Sequence, residues 1–157
     1  MAVSAIPKGY HSITPYLIIN GAQQAIDFYC AAFDAQLVMQ MPMPEGGIAH
    51  AEIKIGNSHI MISDMCPDVH FKSPTELGGT PVSIMLYVDD VDTVFAKTIA
   101  LGAKEIRPVH DQFYGDRAGT LQDPFGHVWT IGTHKEDINE QELRKRMVDL
   151  MSKDQDA

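Results

Sequence analysis

Hydrophobic and polar positions in the first half of the chain predict a β-α-β-β-β order of elements. An apolar run at residues 14–19 is typical of a strand, and residues 22–33 place their apolar side chains on one helical face. Asn20 lies between these two segments, where an asparagine side chain commonly caps a helix. Three more strands are predicted at residues 36–41, 48–55 and 59–63, the last two joined by a tight turn at Gly56-Asn57.

The same order begins again after residue 81. Residues 82–88 predict a strand, and Asp89-Asp90 then supplies the start of an amphipathic helix that Gly102 ends. The strands that follow are predicted at residues 104–109, 116–122 and 127–133. A polar helix with a narrow apolar stripe is expected at residues 135–153.

This internal repeat predicts an α+β fold built from two βαβββ modules in one domain of residues 1–157. Module one covers about residues 10–64 and module two about residues 82–134, with the helix at 135–153 following them. Residues 65–81 contain three prolines and a Gly-Gly pair with little periodicity, so they form a linker or a long loop over a site. Each module leaves one sheet face to be buried, and pairing two such sheets encloses a cleft.

The composition narrows the classes of partner. Hydrophobic residues make up 45% and charged residues 21% of the 157 residues, which is an ordinary globular balance. The net charge of -9 and the pI near 5.0 argue against a nucleic acid or an anionic membrane as the main partner. The chain has two cysteines, no apolar run long enough to span a membrane and no secretory signal pattern, so a cytoplasmic protein is expected.

A late hairpin around Asp123-Pro124-Phe125-Gly126 carries the first group of candidate site residues. Arg117 could clamp a carboxylate or phosphonate, with Asp116 holding the guanidinium and Tyr114 nearby. The alternative is a structural Asp–Arg pair that fixes the turn. Trp129 is interpreted as a core residue or a cleft wall rather than a stacking platform.

A second candidate group lies on the strand at residues 48–55. His50 and Glu52 are two residues apart, so both side chains point to the same side of the strand. They could act as a general base with an orienting carboxylate, or as two ligands of a displaced metal site. A solvated polar pair on an outer face fits the alternation equally well. Met61 and Met85 lie on strands and could line an adaptable apolar pocket, although a core role is the simpler interpretation.

The chain resembles the vicinal oxygen chelate superfamily, also called glyoxalase/bleomycin resistance protein/dioxygenase, and its sequence motifs are similar to those of the PhnB-like branch. The residues that carry the resemblance are Tyr16-Leu17, Ala25–Tyr29, Ala32-Phe33, His50–Glu52, Tyr114–Arg117 and Asp123–Trp129. The resemblance implies paired βαβββ modules, a homodimer and a ligand cleft in each curved sheet.

Metal-dependent members of that superfamily hold a divalent ion on the first and last strand of each module. The resemblance carries those ligand positions to Thr14, Met61, Ser83 and Thr130. A thioether and three hydroxyl groups are a poor donor set for zinc, nickel, magnesium or manganese. We therefore predict no metal and no other cofactor at these positions, which argues against glyoxalase I or ring-cleaving dioxygenase activity.

Two functions follow from the sequence, and the choice between binding protein and enzyme stays open. The first is a metal-independent protein that binds a small cationic or aromatic molecule. The second is a lyase-type or oxidoreductase-type enzyme of the same superfamily, with a displaced metal or acid/base site at His50 and Glu52. A structural role through dimerisation alone is a third possibility, and nothing in the sequence identifies the ligand. The candidate ligand-binding residues are Tyr16, Met61, Met85, Tyr114, Asp116, Arg117 and Trp129.

Overall fold

The computed structural model describes residues 3–66 and 70–153. The described residues up to Pro81, together with Pro124–His127, form one compact unit, and Val82–Asp123 with the residues from Val128 onwards form another. The elements of the first unit are β1 (Tyr16–Ile19), α1 (Ala22–Phe33), β2 (Gln36–Pro42), β3 (Ile48–Ile55), β4 (Ser58–Asp64) and α2 (Pro74–Leu77). Those of the second are β5 (Ser83–Tyr87), α3 (Val91–Ala100), β6 (Lys104–Asp111), β7 (Asp116–Gln122), β8 (Val128–His134) and α4 (Glu140–Lys153).

The first unit is a four-stranded mixed sheet with α1 on one face. Its strand order is β1-β4-β3-β2, and β1 runs parallel to β4 while the other pairs are antiparallel. Side chains that alternate along the strands bury themselves toward α1, where Ile19, Ile53 and Ile62 meet Ile26 and Tyr29. The opposite face carries Tyr16, Ile18, His50, Glu52 and Met61, and we refer to it as the helix-free face of the first sheet.

Two local predictions in this unit are wrong. Asn20 does not cap α1, because Gly21 occupies the N-cap position and Asp64 of β4 accepts hydrogen bonds from the Gly21 and Ala22 amides. Strict alternation over residues 48–55 predicts that Ala49 shares one face with Ala51, Ile53 and Ile55, but Ala49 does not lie on their buried face. The pairing with β2 shifts register between Met41 and Pro42, so Ile48 is buried and Ala49 is exposed.

The second unit repeats the topology, which confirms the predicted α+β fold. Its sheet has the order β5-β8-β7-β6, with a parallel β5–β8 pair and antiparallel neighbours. Trp129, Ile131 and Leu121 are fully buried, and Phe95 of α3 is nearly so. As predicted, α3 begins at the Asp89-Asp90 pair, where Asp90 accepts a hydrogen bond from the Thr93 amide at 3.1 Å.

Segments outside the repeat differ more from their predictions. Residues 65–81 include the short helix α2, and residues 67–69 of that predicted linker lie outside the described residues. The last helix begins at Glu140 rather than at residue 135. The turn at 124–127 belongs to the first unit, where the Phe125 ring meets Phe28 edge-on with centroids 6.0 Å apart. No helix in the described ranges is both long and apolar enough to cross a membrane.

Candidate functional site

A cavity of about 550 Å³ lies within the first unit. Its apolar walls come from Ile18 of β1, Ile48 of β3 and two side chains of the connecting segments, Met43 and Phe71. A volume of this size is in the range of pockets that hold drug-sized molecules. Among the described residues, the lining consists of Tyr16, Ile18, Met43, Ile48, Ala49, Ser63, Asp64, Cys66 and Phe71.

Asp64, the carboxylate that the described residues bring to the cavity wall, accepts hydrogen bonds from three backbone amides. Asp64 Oδ1 accepts from the Gly21 and Ala22 amides at 2.9 Å each, and Oδ2 accepts from the Ile48 amide at 2.7 Å. The carboxylate therefore stabilises the start of α1 and the start of β3. Three backbone donors leave the Asp64 carboxylate little further acceptor capacity, and the other named walls are mainly apolar.

His50 and Glu52 lie on the helix-free face of the first sheet, beside Tyr16. The His50 Nε2 atom lies 3.2 Å from Glu52 Oε1, and His50 Nδ1 lies 2.8 Å from the Tyr16 hydroxyl. Their side chains are only 19% and 13% exposed, so they are not the fully solvated pair that the alternative interpretation allowed. Glu52, His50 and Tyr16 thus form a continuous hydrogen-bonded chain across strands β3 and β1.

Tyr10, in the segment before β1, extends this series of hydrogen bonds at its Glu52 end. The Tyr10 hydroxyl donates a hydrogen bond to Glu52 Oε2, and the Tyr10 ring stacks on His59 at a centroid distance of 4.0 Å. The hydrogen bond from Tyr10, with a smaller contribution from that of His50, holds the pKa of Glu52 below its usual value against the opposing effect of burial. The same bond to a carboxylate raises the pKa of Tyr10. Glu52 is therefore an ionised carboxylate with a donor on each oxygen.

In the second unit, Asp116 does not hold Arg117, and this part of the prediction is wrong. Arg117 faces α3, where its guanidinium bonds both oxygens of Asp92 at 2.7 Å and Asp111 at 3.1 Å. Asp116 faces the other side of β7, because successive residues of a strand alternate between faces. There it accepts from the Tyr87 hydroxyl at 2.8 Å and pairs with His134 Nδ1 at 2.7 Å.

The remaining candidates are spread over both units. Met61 pairs in register with Tyr16 and Glu52, and so lies on the helix-free face of the first sheet. Met85 and Tyr114 are partly exposed in the second unit. Trp129 is fully buried and its indole donates to Asp123 at 2.9 Å, so its predicted ligand contact is not supported and it is a core residue.

The four positions at which the resemblance implies metal ligands carry poor donors for a divalent ion. Thr14, Met61, Ser83 and Thr130 supply hydroxyl and thioether donors, and the Thr130 hydroxyl lies 3.1 Å from that of Thr120. Across the described ranges, no three His, Cys, Asp or Glu side chains converge as a metal site. His50 and Glu52 are instead hydrogen-bonded to each other and to two tyrosines.

Sequence reasoning missed Tyr10 and the role of Asp64. Tyr10 lies in an arm without periodicity, and its partner Glu52 is 42 residues away. Asp64 ends a strand, where an acidic residue normally indicates only a turn. The order of elements offered a signal for Asp64. When β1 and β4 pair in parallel, the end of β4 lies next to the start of α1.

Comparisons with known proteins agree with this architecture. The sequence profile of the Glyoxalase/Bleomycin resistance protein/Dioxygenase superfamily matches residues 10–131. Protein Mb0911c of Mycobacterium bovis is 38% identical over 150 residues, which cover 94% of this chain and 96% of that protein.

Solved structures show the same fold. Protein PA1353 from Pseudomonas aeruginosa superimposes with a TM-score of 0.66 at 25% identity, covering 80% of this chain and 99% of that one. The PhnB protein from Bacillus cereus gives a TM-score of 0.62 at 23% identity, covering 78% and 99%. With its two βαβββ modules and the match over residues 10–131, the chain belongs to the glyoxalase/bleomycin resistance protein/dioxygenase superfamily, the vicinal oxygen chelate proteins.

Proposed function

We propose that this protein binds a small, mainly apolar molecule in the cavity of its first unit. The observation that carries the proposal is the cavity itself, with a volume of about 550 Å³ and walls of Ile18, Met43, Ile48 and Phe71. Methionine suits a ligand of irregular shape because its side chain adapts to what it contacts, and an exposed phenylalanine ring can pack against an aromatic ligand.

The ligand class follows from the polar groups in the wall. Asp64 is occupied by three backbone amides, so an uncharged aromatic ligand fits better than the cationic one that the net charge suggested. Tyr16, Ser63 and Cys66 remain as small polar groups that can orient a ligand oxygen or nitrogen. The family positions Thr14, Met61, Ser83 and Thr130 lack good metal donors, so we propose binding that needs no metal.

A cavity-filling variant tests the proposal. Ala49 lines the cavity and is exposed, so Ala49→Trp should block the space without disturbing the buried side of β3. A library of small aromatic compounds is screened by thermal melting on the natural protein, Ala49→Trp and the control Ala96→Trp on the exposed surface of α3. A ligand at 100 times its dissociation constant stabilises by about 2.7 kcal/mol. We expect this shift in the natural protein and the control, and its loss in Ala49→Trp. Equal shifts in all three proteins would refute the cavity as the site.

Acid/base catalysis at His50 and Glu52 is the second candidate. It is favoured by one observation, the hydrogen-bonded chain from Glu52 through His50 to the cavity residue Tyr16. His50→Ala should leave the affinity for a ligand without a hydroxyl group nearly unchanged if the protein only binds, and should abolish turnover if it is an enzyme. A cytoplasmic homodimer remains a prediction from the sequence, and sedimentation analysis measures the oligomeric state directly.

A further inference from the structure

Tyr16 links the buried polar chain to the cavity. Of the three side chains in the Glu52–His50–Tyr16 chain, Tyr16 alone lines the cavity in the described part of the first unit. Tyr16 is 47% exposed, whereas His50 and Glu52 are mostly buried behind it. Tyr16 is therefore the member of this hydrogen-bonded chain that can contact a molecule in the cavity.

The hydrogen-bond partners decide where the protons lie. An ionised carboxylate only accepts hydrogen bonds, so the Nε2 atom of His50 donates to Glu52. The neutral imidazole then has a bare Nδ1 atom, and this atom accepts the hydrogen of the Tyr16 hydroxyl. With its hydrogen turned toward His50, the Tyr16 oxygen keeps its lone pairs for another hydrogen-bond donor, and Tyr16 is a residue of the cavity wall. A ligand group that donates a hydrogen bond is the natural partner.

We propose that Tyr16, His50 and Glu52 form a proton relay that binds an ionisable hydroxyl group of the cavity ligand and takes up its proton. The ligand O–H bond breaks and a new O–H bond forms on Tyr16, while the original hydrogen of Tyr16 moves to His50 Nδ1. The net change is one proton transferred from ligand to His50. The ligand oxyanion then accepts a hydrogen bond from Tyr16, and the His50 cation lies against the Glu52 carboxylate. This inference rests on the proposed binding function and gives its ligand class, an apolar molecule with a phenol-like or enol hydroxyl.

The groups packed around His50 include one carboxylate in direct contact with it, that of Glu52. Glu52 is on the same strand, and Tyr10 from the arm keeps that carboxylate ionised. From β4, His59 lies on the far side of Glu52 under the Tyr10 ring, and Asp64 is held by backbone amides. The β2 partner of His50 is Met41, which is uncharged. Glu52 is thus the charged group in direct contact with His50, and its negative charge attracts the cation that the proposed transfer forms.

Two chemically matched probes test the relay. 4-Nitrophenol has an ionisable hydroxyl and changes its absorption spectrum on ionisation, whereas nitrobenzene has no such group. Both are titrated against the natural protein, Tyr16→Phe and His50→Gln at a pH where free 4-nitrophenol is mostly neutral. The matched control is Tyr87→Phe, which removes a hydroxyl from another exposed strand tyrosine outside the cavity lining. Circular dichroism checks that each variant is folded.

We expect bound 4-nitrophenol to show the phenolate spectrum in the natural protein and in Tyr87→Phe. Tyr16→Phe and His50→Gln should lose that spectrum, and Tyr16→Phe should bind 4-nitrophenol about tenfold more weakly while nitrobenzene affinity stays unchanged. If both probes bind but 4-nitrophenol stays neutral, or keeps its phenolate spectrum in Tyr16→Phe, the relay is refuted and cavity binding survives. If neither probe binds the natural protein, the proposed binding function fails, and the relay fails with it.

Discussion

Glu52 illustrates how partners distant in the sequence set the charge of one side chain. Its two oxygens accept from Tyr10, 42 residues away, and from His50, two residues away. Both donors favour the ionised carboxylate, while partial burial opposes it. Because the donors outweigh burial, the folded state holds the pKa of Glu52 below the value of an unfolded chain. A group with a lowered pKa stabilises the fold above its unfolded pKa, and this contribution is lost as the pH falls through the folded pKa.

Replacing Tyr10 tests this arrangement. Tyr10→Phe keeps the ring stacked on His59 but removes the hydrogen bond to Glu52, so the free energy of unfolding at neutral pH should fall by about 1 kcal/mol. The difference from the natural protein should shrink in acid, below the usual pKa of a glutamate, where Glu52 becomes protonated. Urea unfolding at several pH values measures both effects.

The control for Tyr10 is Tyr114→Phe. Tyr114 contacts the ring of Phe113, and its hydroxyl forms no hydrogen bond to another described residue, so removing it should change stability little. Equal losses in the two variants, or a Tyr10→Phe difference that does not depend on pH, would contradict the assigned hydrogen bond.

His134 has a raised pKa, so its contribution to stability should depend on pH in the opposite direction to that of Glu52. Hydrogen bonds to Asp116 and then to Asp137 raise the pKa of His134 in the folded state. The resulting stabilisation is fully present below the usual pKa of a histidine and is lost as the pH rises through the raised value. His134→Gln should therefore lose most stability in mildly acidic buffer and approach the natural protein in alkaline buffer.

Denaturant unfolding across that pH range measures this effect. His110→Gln is the control, because the His110 ring lies against the backbone oxygen of Pro108 rather than a carboxylate. A His134→Gln difference that grows as the pH rises would have the wrong sign and would refute the assigned ion pair.

At the scale of elements, the turn before β7 depends on a glycine for two separate reasons. Gly115 has a φ of +95°, and a Cβ atom there would lie 2.3 Å from the Glu136 backbone oxygen. Gly46 has the same φ of +95° but no atom within 4 Å of an added Cβ. The pair therefore separates the cost of the backbone conformation from the cost of the clash.

Alanine substitutions at the two glycines should differ in cost. Gly46→Ala should reduce the free energy of unfolding by about 1 kcal/mol, since it carries only left-handed backbone strain. Gly115→Ala should cost about 3 kcal/mol or more, because the backbone of the segment before α4 must also move. Chemical denaturation of both variants gives the comparison, and equal losses would mean that the segment at Glu136 adapts freely.

Local periodicity predicted the elements well but missed contacts made at a distance. The bounds of α1 and β3 match the prediction, because apolar residues recur along α1 at helical spacing and along β3 at strand spacing. The bulge at Ala49 and the cap from Asp64 depend on a neighbouring strand, and the sequence of one segment does not contain that information. Tyr10 was missed for the same reason, because the segment before β1 has no regular spacing of apolar residues. The partner of Arg117 was also wrong, since Arg117 pairs with Asp92 on α3 rather than with its neighbour in sequence.

At the scale of the whole molecule, two units of one topology carry different helix-free faces. The first unit has the cavity and the Glu52–His50–Tyr16 chain, whereas the second has the cluster of Asp116, Tyr87 and His134. The repeat therefore accounts for the fold, whereas the side chains on the faces without helices differ between the two units.

The metal content of the whole protein can also be predicted. Because Thr14, Met61, Ser83 and Thr130 offer only hydroxyl and thioether donors, we expect less than stoichiometric divalent metal in protein purified without an affinity tag. Titration with zinc, nickel or manganese should leave the thermal midpoint unchanged. One metal ion per chain would contradict this interpretation and would make His50 and Glu52 the first residues to substitute.

A nuclear magnetic resonance titration shows directly whether a ligand binds in the first unit. Nitrobenzene is added to isotope-labelled protein while the backbone amide resonances are followed. We predict saturable shifts at the cavity residues Tyr16, Ile18 and Ala49, and none at Met85 and Thr130 on the second sheet. Shifts confined to the second unit, or no saturable shift at all, would contradict the account.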